Sequence, residues 1–301
     1  MMQKILILGS TGFVGKNIIE LFKSQKDITT FGTTRDLSLV SDSIVYFDIE
    51  NEDSWENISQ IKPDIIINSS GYGVVKEEKE LEKMYNINYL KIQQFIKFLE
   101  AKVPDVFWLQ IGTAFEYDLE AGKIDEQTPC TPLSHYGISK YLLSHWLLNK
   151  TKLRFSVIRP FAMFGAGESD SKIIPLLINA QLKKQTIKLS SGEQIRDYFY
   201  VGDLAAFLLK LTTQKENIPS VMSAGSNQPI SLLELANKLS AQIEGFDAQY
   251  WGWNAIEQRQ DESKAFYNGS TVAFDHGMSI TPLEKALEST YIFYRDNHPI
   301  L

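Results

Sequence analysis

Gly9-Ser10-Thr11-Gly12-Phe13-Val14-Gly15 stands between a short apolar run, Ile5–Leu8, and a segment, Phe13–Ser24, that places Val14, Ile18, Ile19 and Phe22 on one helical face. Glycines spaced three apart between a strand and a helix make a tight turn, let backbone approach a pyrophosphate, and let the helix pack closely on the strand. The helix N-terminus adds unpaired N–H groups and a partial positive charge. Turns use glycine freely, so the loop takes its meaning from the strand before it and the helix after it. Gly9, Ser10, Thr11, Gly12, Phe13, Val14 and Gly15 are therefore expected to cradle a dinucleotide.

The same alternation continues outward. Ile28–Gly32, Ile44–Phe47, Ile65–Asn68, Val106–Ile111 and Phe155–Ile158 read as further strands, and Met84–Leu99 and Tyr136–Leu148 as helices. Continuous apolar strands separated by helices imply a parallel sheet covered on both faces. The expected fold is α/β: a doubly wound parallel Rossmann sheet with a smaller, mostly helical C-terminal domain. After Pro160 the pattern changes, through the loop Gly165–Ser171 to helices at Ile173–Lys184 and Asp203–Leu211, a short strand at Thr186–Leu189 and a last strand at Val221–Ala224. The expected division is residues 1–165 with 198–227 for the dinucleotide and 166–197 with 228–301 for the substrate. The charged run Lys76–Lys83 reads as a solvated helix face.

Composition narrows the function. The 301 residues carry 30 Lys+Arg against 37 Asp+Glu, a net charge of −7, which argues against nucleic-acid binding. One cysteine forms neither an internal disulfide nor a thiolate metal cluster, and the four histidines lack metal-ligand spacing. Ile5–Leu8 is too short for a secretory core. No stretch reaches the roughly 18 apolar residues of a membrane span, so a cytoplasmic location is expected. An acidic chain that binds phosphates must attract them locally.

Cofactor type is read about 20 residues beyond the glycines, where an acid would bind the ribose 2′-hydroxyl of NAD. Thr34 stands there, followed by Arg35, whose guanidinium can hold a 2′-phosphate. NADP is favoured; Asp36 leaves NAD open, and Arg35 can also be read as a surface residue. Asp48-Ile49 reads either as an adenine contact or as an ordinary turn.

Tyr136 and Lys140 are spaced i,i+4 and share one helix face. A nearby ammonium favours phenolate and is expected to lower the tyrosine pKa toward acid/base use. Thr113, just past the strand Val106–Ile111, lies at the sheet edge where ligands of open α/β sheets bind, placed to hydrogen-bond a substrate carbonyl.

Together the Gly9/Gly12/Gly15 loop, Asp48, Asn88, Thr113, Tyr136/Lys140, Arg159-Pro160 and Arg196-Asp197-Tyr198 resemble the extended short-chain dehydrogenase/reductase family, in its NAD(P)-dependent epimerase/dehydratase branch. The resemblance implies a nucleotide-sugar substrate, Tyr136 as acid/base, Lys140 on the nicotinamide ribose and Thr113 on the sugar. It further implies cofactor contacts at Ser69, Ser70, Pro160 and Phe161, substrate contacts at Tyr72, Ala114, Phe115 and Arg196, with Arg196 on the diphosphate, and a homodimer. The stretch Leu189–Asp203 is similar to 4-keto-sugar reductases that make CDP-paratose and CDP-abequose.

Two departures bear on the reaction. Ala162 stands where the family often has a substrate-binding Asn. The Thr-Asp-Glu trio of the 4,6-dehydratases is here Thr113-Ala114-Phe115, with Glu116 displaced by one residue. A one-residue shift turns a side chain to the other face, so Glu116 is not counted as a substitute. The leading expectation is NADPH-dependent reduction of the 4-keto group of a nucleotide-linked deoxysugar. A 4-epimerase with retained NAD uses the same residues; a cofactor-sensing protein would need the glycine loop but not the Tyr/Lys pair. His135 and Cys130 read as surface and loop residues, Trp251 and Trp253 as core, and Tyr72 and Tyr117 as either pocket or packing.

Overall fold

The computed structural model describes residues 2–74, 78, 80–214, 217–257 and 263–297. Strands β1 (Gln3–Leu8), β2 (Ile28–Thr34), β3 (Ile44–Tyr46), β4 (Ile65–Asn68), β5 (Phe107–Ile111), β6 (Arg154–Pro160) and β7 (Val221–Ala224) form one parallel sheet. Its order is β7-β6-β5-β4-β1-β2-β3. The winding reverses at β1, which pairs with β2 on one side and β4 on the other. The carboxyl ends of β1 and β4 therefore form the switch point where open α/β sheets bind ligands.

The strands are apolar throughout because both faces are buried. Successive side chains alternate, so Ile5, Ile7, Ile65, Ile67 and Leu109 pack against helices α1 (Phe13–Lys23) and α7 (Val201–Thr213). Leu6, Leu8, Ile66 and Trp108 face the other way, against α2 (Trp55–Ile61), α4 (Lys91–Lys102) and α5 (His135–Lys150). Phe95 of α4 is the hub of that second layer, its ring 4.9 Å from Phe47, 5.5 Å from Trp55 and 6.3 Å from Trp108.

The helix expected over Met84–Leu99 is broken into three parts. Helix α3 (Leu81–Tyr85) runs into a π-helical stretch, Asn86–Leu90, and only then into α4. The loosened turn carries Asn88, whose buried side chain is engaged with a neighbouring loop and with α5. Of the charged run Lys76–Lys83, Lys76, Glu77 and Lys79 lie outside the described residues, as does His298.

A third core unites Phe164 with α6 (Ile173–Leu182), α8 (Leu232–Ser240), Trp251 and α10 (Leu283–Asp296), while Trp253 is partly buried against it. The boundary expected at residue 228 is crossed. Phe266, Ala273 of α9 (Val272–Asp275) and Met278 pack into the core shared by α1 and α7, because the strand Ala265–Asn268 returns the chain to that side. Asp197, fully buried, accepts hydrogen bonds from the Ser226, Asn227 and Asn268 amides and joins the two regions. Among the described residues no helix is long and apolar enough to cross a membrane.

Candidate active site

The glycine loop is packed backbone to backbone. Gly9 adopts φ +74°, and a Cβ there would lie 2.8 Å from Ser70 Cα. A Cβ on Gly15 would run into the Gly9 carbonyl and lie 2.7 Å from Ser10 Cα. Ser10 Oγ donates to the Thr33 carbonyl at 2.8 Å and accepts from the Thr33 amide at 3.0 Å, tying the loop to the end of β2. Gly12 caps α1 without a side-chain acceptor, and no acid stands in the first turn. The first N–H groups of α1 are thus left facing the loop mouth, beside exposed Thr11 and partly buried Phe13 and Val14. These residues fit a pyrophosphate: anion attraction with no basic side chain.

At the end of β2, Thr34 is buried and its Oγ1 accepts the Asp36 amide at 3.0 Å, while Arg35 is exposed. Asp36, the residue that left NAD open, is turned away to cap a short 3-10 turn, accepting from the Ser38 amide and hydroxyl at 2.9 and 2.7 Å. Those hydrogen bonds hold its carboxyl below the usual range. Asp48 has the turn geometry: its Oδ1 accepts the Glu50 amide at 3.0 Å, and Ile49 packs on the second core layer. Ser69 donates to the Leu8 carbonyl at 2.7 Å and Ser70 lies against Gly9, so the residues after β4 line the same mouth.

Thr113 is the N-cap of a 3-10 turn, Ala114–Glu116. Its Oγ1 accepts the Phe115 amide at 3.3 Å, which leaves the hydroxyl proton to donate elsewhere. Ala114 is buried; Phe115 is 43% exposed, with its ring edge toward Phe266 at 5.7 Å. Glu116 is 0% exposed: Oε1 accepts the Thr113 amide at 3.0 Å and Oε2 accepts Arg159 Nε at 2.8 Å. The Arg159 guanidinium lies 4.5 Å from the Tyr117 ring, and the Tyr117 hydroxyl meets Ser223 at 2.9 Å, so Tyr117 packs in the core rather than lining a pocket.

Helix α5 delivers the tyrosine and lysine. Ser134 caps it through the Gly137 amide at 3.0 Å. A Cβ on Gly137 would collide with the Phe115 carbonyl, so glycine there lets α5 rest directly on the turn carrying Thr113. Tyr136 is half-buried and Lys140 is 5% exposed. Among the described residues neither side chain's polar end has a hydrogen-bond partner. Asn88 donates to Ser139 Oγ at 2.9 Å, and exchanges hydrogen bonds of 2.8 Å with the Tyr72 amide and carbonyl. Glu78 secures the same loop from the other side, accepting from the Gly73 and Val74 amides at 2.6 and 3.1 Å.

Burial dominates the electrostatics. It pushes the Tyr136 phenol above its ordinary value, with the Glu116 and Glu78 carboxylates acting in the same direction. Burial also pushes the Lys140 ammonium down to about 8, with Glu116 opposing. The expected lowering of Tyr136 by Lys140 is therefore corrected: desolvation of the phenolate and the two carboxylates set the direction, and it is upward.

Two further residues are engaged within the fold. The Phe161 amide donates to the Ala224 carbonyl at 2.9 Å, following buried Pro160 at the end of β6, which leaves only the Phe161 carbonyl for a backbone contact to a cofactor. Arg196 is largely buried. It is 9% exposed, donates to the Ile195 carbonyl at 2.8 Å, and lies flat on Phe266 at 4.3 Å. His135 is exposed and meets the Tyr85 hydroxyl at 3.0 Å, and Tyr72 lies beneath Lys83 at 5.3 Å. The Glu116–Arg159 pair and the close approach at Gly137 were missed in the sequence. Both left a trace: Thr113-x-x-Glu116 has the spacing of a capping box, and an isolated helix glycine signals tight packing.

A family model described as "NAD dependent epimerase/dehydratase family" matches residues 5–225. A GDP-6-deoxy-D-talose 4-dehydrogenase of Aggregatibacter actinomycetemcomitans is 26% identical over 218 residues, 70% of this chain and 71% of the relative. A CDP-abequose synthase of Salmonella typhimurium is 24% identical over 273 residues, 86% and 87% of the two chains. The structure of a UDP-glucuronic acid 4-epimerase from Bacillus cereus, in complex with UDP-glucuronic acid and NAD, superposes with a TM-score of 0.83 at 19% identity. That superposition covers 98% of this chain and 99% of the epimerase.

Proposed function

The chain belongs to the NAD dependent epimerase/dehydratase family, and from that premise we propose that this enzyme reduces the 4-keto group of a nucleotide-linked deoxysugar with NADPH. The observation that carries the reading is the state of the acids beside Thr113. Ala114 and Phe115 bring none, and Glu116 is locked between the Thr113 amide and Arg159. The turn therefore offers no free carboxyl to eliminate water. Tyr136, held protonated, suits a proton donor. A relative named as a 4-dehydrogenase of a GDP-linked 6-deoxy sugar performs the same redox change in the opposite sense.

Gly9 to Gly15 would hold the pyrophosphate, with Ser69 and Ser70 beside it. Arg35 favours NADP, because it is exposed at the tip of β2 while Thr34 replaces the expected acid and Asp36 is capped away. The reduced nicotinamide, when bound, supplies the hydride. Tyr136 donates its phenolic proton to the oxygen of the ketone as negative charge develops there, and Thr113 donates a second hydrogen bond to the same oxygen. Lys140 holds the ribose hydroxyls, and its positive charge stabilises the Tyr136 phenolate left behind. Tyr72, Ala114 and Phe115 would border the sugar. Arg196, lying on the Phe266 ring that Phe115 meets, is assigned the diphosphate. Residues 1–165 with 198–227 would hold the dinucleotide and the helical remainder the substrate, apart from the segment around Phe266 to Met278.

The test is loss of NADPH absorbance on mixing with a panel of 4-keto-6-deoxyhexose nucleotides. Stoichiometric loss is expected, and Tyr136→Phe should slow it about 100-fold or more. Turnover of a sugar nucleotide with no net loss of NADPH would mark a 4-epimerase, and NADPH binding with no turnover a sensor.

A further inference from the structure

Behind Thr113 the fold buries a full negative charge. Glu116 is completely sequestered, yet its two oxygens serve two neighbours: Oε1 takes the Thr113 amide and Oε2 takes Arg159 Nε on β6. The preceding residue makes room for it, since a Cβ on Gly112 would strike Glu116 Oε1. Burying a carboxylate is expensive even when it is paired, and a neutral side chain could have capped the same amide. The charge is therefore the feature that needs a function.

We propose that Glu116 is a positioning residue of this site, fixing Thr113 through its backbone amide and setting its Arg159-paired carboxylate behind Tyr136 and Lys140. The proposal rests on the reading of Thr113, Tyr136 and Lys140 as the reacting set. Geometry supplies the first half. The amide of Thr113 is held by Glu116 and its Oγ1 accepts from the Phe115 amide, so the backbone position and one lone pair are fixed while the hydroxyl proton stays available to donate. Arg159 anchors the carboxylate to β6, and so ties the turn to the sheet.

Electrostatics supplies the second half. The charged groups acting on Tyr136 are Glu116 from the turn after β5 and Glu78 from the loop before α3; Glu116 also acts on Lys140. Glu116 itself is faced by Arg159, with Tyr117 and Cys130 beside that guanidinium. Its field favours the proton on both members of the pair. Burial weakens the hold of Lys140 on its proton, and Glu116 opposes that. A reductase needs this arrangement, because it must start each cycle with an acid at Tyr136 and a cation at Lys140.

Glu116→Gln tests the charge while keeping an acceptor for the Thr113 amide. In protein labelled at lysine Cε with carbon-13, the Lys140 signal is identified by its loss in Lys140→Met and its titration followed by NMR. The wild-type midpoint is expected at about 8, and Glu116→Gln should lower it by about one unit. In turnover, the alkaline limb of the kcat profile should move down by a similar amount, with KM for NADPH unchanged. An unmoved midpoint in a variant that is folded and binds NADPH overturns the proposal, even if its melting temperature has dropped. The NMR titration needs no turnover, so a wild-type protein inactive on every keto-sugar nucleotide would sink the proposed reaction and leave this test standing. Should Glu116→Gln fail to fold around an unpaired Arg159, Glu116→Gln combined with Arg159→Met removes both charges. The downward shift is expected there too, but smaller, because the opposing Arg159 charge is lost with it; an upward shift or none overturns the proposal.

Discussion

Replacing Gly15 by alanine sets two effects of known sign against each other. Gly15 lies inside α1, where helix propensity alone favours alanine by about 1 kcal/mol. Against this, the added methyl would sit on the Gly9 carbonyl and 2.7 Å from Ser10 Cα, both backbone atoms that no rotamer change can clear. Overpacking costs about 1–3 kcal/mol, and a clash between two main chains belongs at the upper end. The net loss should be about 2 kcal/mol, or roughly 4–8 °C in melting temperature. The larger consequence falls on the ligand. Moving the first turn of α1 by a fraction of an ångström misaims the N–H groups that face the pyrophosphate. Losing one such charge-assisted hydrogen bond weakens binding about 10- to 100-fold. Thermal melts across an NADPH series measure both quantities at once, since the ligand-induced rise reports the affinity. Gly12→Ala is the control: its Cβ would meet only the Gly9 carbonyl, at 3.3 Å, with an ordinary φ of −82°. It should lose less than about 1 kcal/mol. NADPH affinity in Gly15→Ala equal to that of the wild type would refute the placement of the dinucleotide on this loop.

Three other perturbations address separate parts of the molecule. Arg35→Ala should weaken NADPH about 10- to 100-fold and leave NADH unchanged, the difference shrinking as salt is added; equal losses for both cofactors in direct binding would remove Arg35 from 2′-phosphate recognition. Phe95→Ala empties the space between Phe47, Trp55 and Trp108 and should cost about 3–5 kcal/mol, read from the urea midpoint. Lys140, held at about 8 against an ordinary 10.5, binds fewer protons folded than unfolded between those values, so its contribution to stability rises with pH across that window. The penalty is complete below about pH 8. Lys140→Met should therefore abolish reduction yet melt several degrees higher than wild type at about pH 7, with the gap closing toward about pH 10.5; a gap independent of pH would show that the buried ammonium is not its source.

Much of the fold was legible because the determining interactions are local. Ile5–Leu8, Ile65–Asn68 and Val221–Ala224 announce buried strands by continuous apolar character, and the glycine loop states how the first strand meets its helix. What remained hidden depends on residues far apart in the chain. The interruption of the helix over Asn86–Leu90 follows from Asn88 reaching a loop 16 residues earlier and a serine 51 residues later, which periodicity does not encode. The return of Phe266 and Met278 to the first core goes with the pairing of Ala265–Asn268 to Lys123–Ile124 and Ile195–Arg196, segments distant in sequence that form a separate small sheet. The pKa of Tyr136 was misread because an i,i+4 cation is visible in sequence, whereas burial is not. The burial of Arg196 was hidden likewise: its charge is legible, its position on Phe266 is not.

The register of one turn carries the greatest chemical weight. Thr113 leaves β5 extended, at φ −161° and ψ 149°, and the chain then tightens into a 3-10 turn. In that geometry the side chain three residues beyond the cap folds back toward the cap's own amide, so an acid at position 116 is drawn inward and becomes structural. At position 115 the side chain is 43% exposed and turns toward the face shared with Phe266, so an acid there would stay free to exchange protons with a bound molecule. Moving one carboxylate by one residue thus separates a proton-transferring group from a fixed charge. This chain has placed it inward, with an aromatic ring outward, the arrangement expected if Tyr136 is the proton donor of the site. The same economy bears on the net charge of −7: in the proposed reading phosphates would be met by the N–H groups of α1, by Arg35 and by Arg196, while two of the six arginines, Arg159 and Arg196, are buried against the turn and its aromatic neighbour.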